Sequence, residues 1–461
     1  MSDYLRGAVA GLALTLGCCS LAQAQTATEP QLTNAEITGA SGDATNHFGD
    51  SPNNPGPIAT DITADLTTPA VKKAIAKVAD WQLARAEKYF NQQWTFGALY
   101  CGFLAASQST GDLRYHDAMV AMSEGFHWGI TLPGSGNPGD LTPPAGADAA
   151  GGGDQAAAPP PTPPANGRVA ILNANSECLS QTYLDLYSQY KSDWIIEPTQ
   201  RALDGQINIE GYPAGRGGGG DQGASSTTNP NHIIWWWCDA LYMAPPAWAK
   251  LYKATDDIKY LNYLDHQWWI TSKNLYDPDE HLFYRDATFI KKKESNGKKM
   301  FWSRGEGWVM GGLVRVLQIM PADYPTRDQF VTQFKDMAAR IATLQGPDGL
   351  WRAGMLDPDY YGEPENSGSS FFVYAMAWGV NEGILDRAMF EPVIAKGWKG
   401  LISHVHADGR LDCIQQTGSG PAHFKTSSSY VYGVGAFLLA GREVNRLAIT
   451  LQMQHRTIAA Q

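Results

Sequence analysis

The sequence is poor in cysteine and in basic residues, and both shortages exclude classes of protein. Six cysteines occur in 461 residues and none form a CxxC pair, so neither a zinc site nor a dense disulfide framework is indicated. Lysine and arginine total 35 against 46 for aspartate and glutamate, which gives a net charge of −11. With no basic surplus to neutralise phosphates, a nucleic-acid partner is excluded. An anionic ligand therefore needs a few locally placed cations that act against the overall field.

Long apolar runs are scarce as well. Residues 7–21 form one such run, which lies between Arg6 and the Ala-Gln-Ala sequence of 22–24. This arrangement predicts a cleavable signal peptide over 1–24 and an exported protein, periplasmic or secreted, whose mature chain begins at Gln25. No later stretch is long and apolar enough to predict a membrane span.

Several catalytic motifs are absent too. There is no GxSxG nucleophile elbow and no HExxH pair, and the glycine run at 217–220 lacks the Lys-Ser/Thr of a phosphate loop. We therefore predict neither a metal ion nor a cofactor. Aromatic residues are abundant instead, with 15 Trp, 20 Tyr and 15 Phe, and such an excess is typical of proteins that stack on sugar rings.

Apolar residues recur at helical spacing from about residue 69 onward, without a convincing series of alternating strands. Residues 25–68 have no sustained period and indicate an irregular N-terminal segment, while Gly/Pro-rich stretches near 133–166 and 214–231 indicate flexible surface insertions. Twelve helices in six pairs predict an all-α fold, an (α/α)6 barrel of six helical hairpins that forms one catalytic domain over 69–461. The predicted helices are 69–90, 94–108, 112–127, 176–190, 195–205, 233–253, 256–273, 304–319, 325–344, 368–382, 387–404 and 428–445.

One carboxylate directly follows three consecutive tryptophans, in the sequence WWWCDALYMAPP at 235–246. If this stretch is helical, Trp235 and Trp236 flank Asp239 on its own face, while Trp237 points elsewhere. An aromatic wall excludes water and raises the pKa of a carboxyl group, so the pattern predicts a general acid. The alternative is a buried aspartate that hydrogen-bonds to backbone or caps a helix.

Two further clusters combine cations with aromatic side chains. The guanidinium of Arg304 can bind a substrate carboxylate through two parallel hydrogen bonds. Trp308, four residues on, is placed to stack against a sugar ring. Arg285, in the sequence LFYRD, is the second candidate cation for an acidic sugar. Its alternative is a surface ion pair with Asp286.

Three other features each have two interpretations. Ser303 and Glu306 have the spacing of a capping box, so Glu306 is predicted to accept a hydrogen bond from the Ser303 N–H, with a catalytic role as the alternative. His232, just before the tryptophans, is either a donor to a substrate hydroxyl or a loop histidine without function. Lys291–Lys293 predict a solvated basic patch or a source of positive field at the mouth of a cleft.

Together these stretches resemble glycoside hydrolase family 105, the unsaturated rhamnogalacturonyl hydrolases, and more distantly the unsaturated glucuronyl hydrolases of family 88. The resemblance covers about 70–445 and includes NGKKMFWSRGEGWVMGGLVRVL, SGSSFFVYAMAWG and YVYGVGAFLLAG, besides the tryptophan and LFYRD motifs. It implies an (α/α)6 barrel that acts on acidic oligosaccharides left by polysaccharide lyases. The residues it implies are Asp239 as general acid/base and Arg285, Trp302, Arg304 and Trp308 around the sugar.

The chain departs from the family pattern at Asn175 and Ser176, where family members commonly carry an Asp-Asp pair. One of those carboxylates usually sits near the catalytic acid. Asn175 remains a candidate substrate contact, together with Trp235, Trp236 and His232.

One carboxylate is sufficient for the implied reaction. A lyase product has a C4=C5 double bond conjugated to the ring oxygen, so Asp239 can protonate C4 and then accept a proton from the water that adds at C5. The alternatives are a glycan-binding protein without activity, an epimerase-like enzyme, or a hydrolase of saturated uronosides, which needs a second acid such as Glu306.

Overall fold

The structure is a computed structural model that describes residues 49–130, 172–208 and 234–459. The predicted signal peptide, both predicted insertions and His232 lie outside the described residues. Within these ranges no helix has both the length and the apolar character needed to cross a membrane.

Helices make up most of the described chain. Twelve of them have eleven residues or more, and two, α4 and α7, are single turns of four residues. Four two-residue strands form two small antiparallel pairs, β1 with β4 and β2 with β3. The helices are α1 (Thr68–Ala86), α2 (Trp94–Thr110), α3 (Leu113–Gly125), α4 (Ala174–Glu177), α5 (Ser180–Tyr190), α6 (Asp193–Asn208), α7 (Ala240–Met243), α8 (Pro245–Thr255), α9 (Lys259–Leu275), α10 (Ser303–Leu317), α11 (Arg327–Ala342), α12 (Asn366–Asn381), α13 (Arg387–Ile402) and α14 (Val431–Ala459), and the strands are β1 (Gly49–Asp50), β2 (Tyr276–Asp277), β3 (Leu282–Phe283) and β4 (Ser429–Tyr430).

The long helices form two rings, which confirms the predicted barrel. The inner ring closes through α2, α5, α8, α10, α12 and α14, each of which packs on the next, and α14 returns to α2. Each outer helix packs on an inner one, as α11 does on α10 and α13 on α12. The burial pattern has the same division, because every residue of α10 is buried whereas α11 buries one face.

Small residues bring the inner helices together. A Cβ atom on Gly435 of α14 would lie 2.4 Å from the Ala98 carbonyl oxygen of α2, and one on Gly312 of α10 would lie 2.1 Å from that of Leu241 in α7. No side chain fits in either place. The glycines in the helix motifs of the sequence therefore set the distances across the inner ring.

The predicted helix over 233–253 is wrong in its first part. Residues 234–239 are not helical, and Trp237 instead pairs with Asp286 in an antiparallel bridge. Helix begins only with α7, and α8 starts at Pro245, whose ring lacks the N–H that a continuous helix needs. The tryptophan run is thus a non-helical segment that docks on the segment following β3.

Candidate active site

Asp239 lies immediately before α7, in an αR conformation with φ −59° and ψ −30°. Its side chain does not cap that helix. It is buried, with 8% of its surface exposed. Both of its close side-chain neighbours approach Oδ2, since the Cys238 thiol lies 3.5 Å away and the Arg285 Nε 3.7 Å away.

Burial raises the pKa of the Asp239 carboxyl group, and the nearby charges of Arg285 and Arg304 only partly oppose that rise. The proton is therefore retained to a higher pH than on an exposed aspartate. This direction agrees with the predicted general acid, but its cause is burial among several elements rather than a wall of indoles on one helix face.

The three tryptophans occupy different environments. Trp235 is fully buried in the core, where its ring contacts that of Tyr263 at a centroid distance of 6.2 Å. The prediction that Trp235 and Trp236 share a helix face with Asp239 is wrong, because residues 234–239 are not helical. Trp235 has a core position instead of the sugar-facing position predicted for it.

Trp236 is the exposed member of the run, with 44% of its surface accessible. Its ring lies 4.7 Å from that of Trp237 and 5.6 Å from the Arg285 guanidinium carbon. An exposed indole beside a cation and a buried acid is a suitable contact for an acidic sugar.

Arg285 lies two residues after β3, and its backbone bonds to the segment that precedes Asp239. Its carbonyl oxygen accepts a 2.8 Å hydrogen bond from the Cys238 N–H. Its Nη1 donates to Asp286 at 2.7 Å, so the predicted ion pair forms, but as a largely buried pair beside Asp239. The Nε is buried and has no hydrogen-bond partner among the described residues, which leaves it as a donor for a ligand.

Arg304 is held by backbone rather than left as an open fork. It is 1% exposed, and its two terminal nitrogens donate to the carbonyl oxygens of Gln415 and Gln416, each at 2.8 Å. Its guanidinium carbon lies 4.2 Å from the ring centre of Trp302, whose Nε1 donates to Gln415 Oε1 at 2.7 Å. Arg304 thus contributes positive charge to the site and stacks on Trp302, and both its terminal nitrogens are engaged, while its Nε has no hydrogen-bond partner among the described residues.

Trp308 is also fully buried. Its ring packs in the barrel interior, 4.8 Å from Tyr242 and 4.6 Å from Phe371. The predicted stacking against a sugar ring does not match this position. Trp308 forms part of a buried cluster of aromatic side chains.

Glu306 does not form the predicted capping box. The Ser303 N–H donates to Ala353, while both Glu306 carboxyl oxygens accept from the Phe283 N–H, at 2.9 and 3.1 Å. Burial and the neighbouring Asp239 charge raise the pKa of Glu306 well above its ordinary value, against the Phe283 bond, which lowers it. Glu306 is therefore a buried acid of raised pKa that ties α10 to β3, two residues before Arg285.

Asn175 lies on the short helix α4, which packs against α7 and so is brought near Asp239. It is half-buried. The next acid in the chain, Glu177, is fully buried and accepts a 2.6 Å bond from Trp248 Nε1, and burial raises its pKa to about 8. Sequence reasoning missed this carboxyl, since a glutamate after two polar residues in a short helix gives no signal of burial.

Among the described residues one group has the side chains of a metal site, namely His404, Asp412 and Cys413. Both oxygens of Asp412 are already occupied, by His404 Nδ1 at 2.9 Å and by His406 Nε2 at 2.7 Å. The absence of a metal cofactor stays a prediction.

Comparison with known proteins gives consistent matches. The profile of Glycosyl Hydrolase Family 88 matches residues 67–448. An unsaturated 3S-rhamnoglycuronyl hydrolase of Formosa agariphila is 36% identical over 389 residues, which cover 82% of this chain and 91% of that protein. An unsaturated 3S-rhamnoglycuronyl hydrolase of an Alteromonas species is 39% identical over 206 residues, which cover 45% of this chain and 50% of that protein. A solved family 88 glycosyl hydrolase of Bacteroides vulgatus is 25% identical with a TM-score of 0.67, over 82% of this chain and 99% of that one.

Proposed function

Because the chain belongs to glycosyl hydrolase family 88 and hydrolyses unsaturated uronyl oligosaccharides, we propose that Asp239 is the general acid and base of its reaction. The supporting observation is a buried carboxyl group of raised pKa, 3.7 Å from an arginine Nε that has no partner among the described residues. An acid of raised pKa and a cation with an unpaired donor match the needs of this substrate.

The reaction proceeds by hydration of the C4=C5 double bond. Asp239 donates its proton to C4, which leaves an oxocarbenium-like cation at C5 and an ionised Asp239. Water adds at C5 and gives its proton to Asp239, which restores the acid. The resulting hemiketal then opens and releases the aglycone sugar.

Arg285 positions the substrate in this scheme. The uronate carboxylate is attached to C5, next to the carbon that is protonated. A carboxylate held by Arg285 Nε therefore brings C4 to the acid only 3.7 Å from that nitrogen. The Arg304 charge acts on Asp239 as well, and the exposed Trp236 ring covers one side of the sugar.

The direct test follows the ultraviolet absorbance of the unsaturated uronide, which disappears when the double bond is hydrated. Purified protein is incubated with unsaturated disaccharides from lyase digests, and we expect the absorbance to fall in proportion to enzyme. Calorimetric binding without any absorbance loss would instead identify a glycan-binding protein without activity.

For the substrate, we propose the unsaturated 3S-rhamnoglycuronyl class named for two relatives. A purified unsaturated 3S-rhamnoglycuronyl disaccharide, compared at equal concentration with lyase digests of rhamnogalacturonan and glycosaminoglycans, provides the test. The proposal requires the highest kcat/KM on that disaccharide, and it fails if either digest is turned over faster.

Glu306 provides a second test, because a hydrolase of saturated uronosides needs another catalytic acid. We expect Glu306→Gln to keep kcat within about threefold, since the amide oxygen still accepts from Phe283 and Asp239 alone supplies the proton. Glu306→Leu leaves that buried N–H unpaired, at a cost of about 1–3 kcal/mol, and displaces Arg285, so kcat/KM falls about tenfold or more.

Glu177→Gln is the matched control, since it neutralises another fully buried acid of raised pKa that bonds to Trp248. Kinetics and melting temperatures are measured for all three variants. A loss of a hundredfold or more in Glu306→Gln, without one in Glu177→Gln, would make Glu306 a second catalytic acid.

We also propose that the protein is exported through the signal sequence over 1–24. The support is the apolar run at 7–21 behind Arg6. Expression of the full chain in a bacterial host should yield a periplasmic or secreted protein with Gln25 at its N-terminus. Cytoplasmic protein that retains residues 1–24 would contradict this.

A further inference from the structure

A lysine-rich β-hairpin lies close to the active site in the chain. The segment 291–299, here called the lysine hairpin, contains five lysines and a single acid, Glu294. Lys293 and Lys299 pair in an antiparallel bridge, and the Glu294 N–H donates to the Lys298 carbonyl oxygen at 2.9 Å. Gly297, with φ 82°, completes the tight turn.

The hairpin is fixed to the protein body. The Asn296 side chain donates to the Leu356 carbonyl oxygen at 2.8 Å, and its backbone N–H donates to Asp357 at 3.0 Å. Ser295 donates to the same carboxylate. The lysines are thus displayed on an anchored turn, so their charges have a defined place relative to the barrel.

Four of these lysines form no ion pair among the described residues. Lys299 pairs with Asp277 and Asp279, at 2.7 and 3.3 Å. The other four are exposed and have no carboxylate within 4.0 Å in the described part of the chain. Glu294 compensates them only in part near neutral pH, because burial and Asp357 raise its pKa to about 7. These four are Lys291, Lys292, Lys293 and Lys298.

Contacts connect the hairpin to the catalytic residues by two routes. Along the chain, Phe289 follows Arg285 by four residues, and the Lys292 ammonium lies 3.6 Å from the centre of its ring. Through space, Phe289 packs on Gly420, whose carbonyl oxygen accepts a 3.1 Å bond from Gln415. Gln415 is the residue that holds Trp302 and Arg304.

The overall charge of the protein makes such a cluster significant. A net charge of −11 repels polyanions, so an acidic oligosaccharide approaches most easily where local cations reverse the field. The uronate needs Arg285 at the reacting end. A second anionic group, farther along the oligosaccharide, needs its own cations at the rim.

We propose that the lysine hairpin binds a sulfate group on the aglycone sugars of the substrate. This inference rests on the proposed function, because it assumes that the unsaturated uronate occupies Asp239 and Arg285. The hairpin lies beyond Phe289, so it contacts sugars that extend from the site rather than the reacting ring. It therefore contributes to substrate binding and leaves the chemical step unchanged.

The experiment compares the parent with the triple variant Lys291→Gln/Lys292→Gln/Lys293→Gln on two substrates. Both have the same unsaturated uronyl end, and only one is sulfated on the aglycone. We expect the KM for the sulfated substrate to rise about tenfold, the KM for the unsulfated one to change less than twofold, and kcat to be unchanged on both. Added NaCl should raise the parent's KM for the sulfated substrate and have little effect on the variant's.

A control with the same change in charge is Lys253→Gln/Lys335→Gln/Lys399→Gln, on exposed lysines of α8, α11 and α13. If this control shifts the sulfated KM equally, the effect belongs to net charge and the hairpin site is overturned. It is also overturned if the hairpin variant keeps the parental KM on both substrates. Absence of parental turnover on both substrates would sink the proposed function instead, and calorimetric binding of the sulfated disaccharide then tests the hairpin by itself.

Discussion

Asp239→Asn is expected to lower kcat about a thousandfold or more, because the amide has no proton to give to C4 and cannot take one from water. The measurement is the loss of ultraviolet absorbance of an unsaturated disaccharide, together with circular dichroism to show that the fold is retained. Asp328→Asn, at an exposed aspartate in the first turn of α11, is the control and should match the parent. Turnover by Asp239→Asn at the parental rate would remove Asp239 from the mechanism.

The pH dependence gives a second measure of the same residue. The active form of Asp239 is protonated, and burial raises its pKa, so activity persists above the usual range for aspartate and is lost as pH rises through that raised pKa. We expect kcat/KM of the parent to show this alkaline limb. Any residual activity of Asp239→Asn should lack it, and an unchanged limb in that variant would assign the titration to another group.

Arg285→Gln is expected to reduce kcat/KM about a hundredfold, mostly through KM. The variant loses the charged donor for the uronate carboxylate, and removing one partner of a buried charge pair costs about 2–5 kcal/mol, with 1.4 kcal/mol per factor of ten. Arg285→Lys should recover part of the loss, because it keeps the charge but not the geometry of the guanidinium.

Arg340→Gln is the matched control for Arg285. Arg340 lies on the outer helix α11 and forms an ion pair with Glu280. Both side chains are partly exposed, so the variant removes the same charge outside the site. We expect its KM to equal that of the parent. A hundredfold loss in kcat with unchanged KM in Arg285→Gln would contradict a role in substrate binding and indicate one in the chemical step.

The architecture was predictable because helix formation follows a local pattern. Apolar residues at helical spacing predicted twelve helices, and the same number of long helices occurs in the described ranges. The pattern failed over 234–239, where apolar residues continue without a break from Ile234 to Cys238. There the backbone of Trp237 and Cys238 bonds to residues 285 and 286, and no local rule reveals that partner.

Of the candidate residues named from the sequence, the structure brings some together and buries others in the core, and their roles stay predictions. Asp239 and Arg285 adjoin each other as the resemblance implies, and Trp236 is open beside them. Arg304 and Trp308 are buried instead, the first on backbone carbonyl oxygens and the second among aromatic rings. A sequence shows that an arginine is present, but not whether its donors are already in use.

The sequence by itself determined the helical barrel and the two candidate residues Asp239 and Arg285, because periodicity and motifs are local patterns of neighbouring residues. Tertiary structure alone decided which partners these groups have. Arg304 bonds to residues 111 and 112 positions away, and Glu306 reaches Phe283 across 23 positions. Burial, which sets the proton affinity of Asp239, results from the packing of such distant segments around it, and it is a property of the folded chain rather than of any stretch within it.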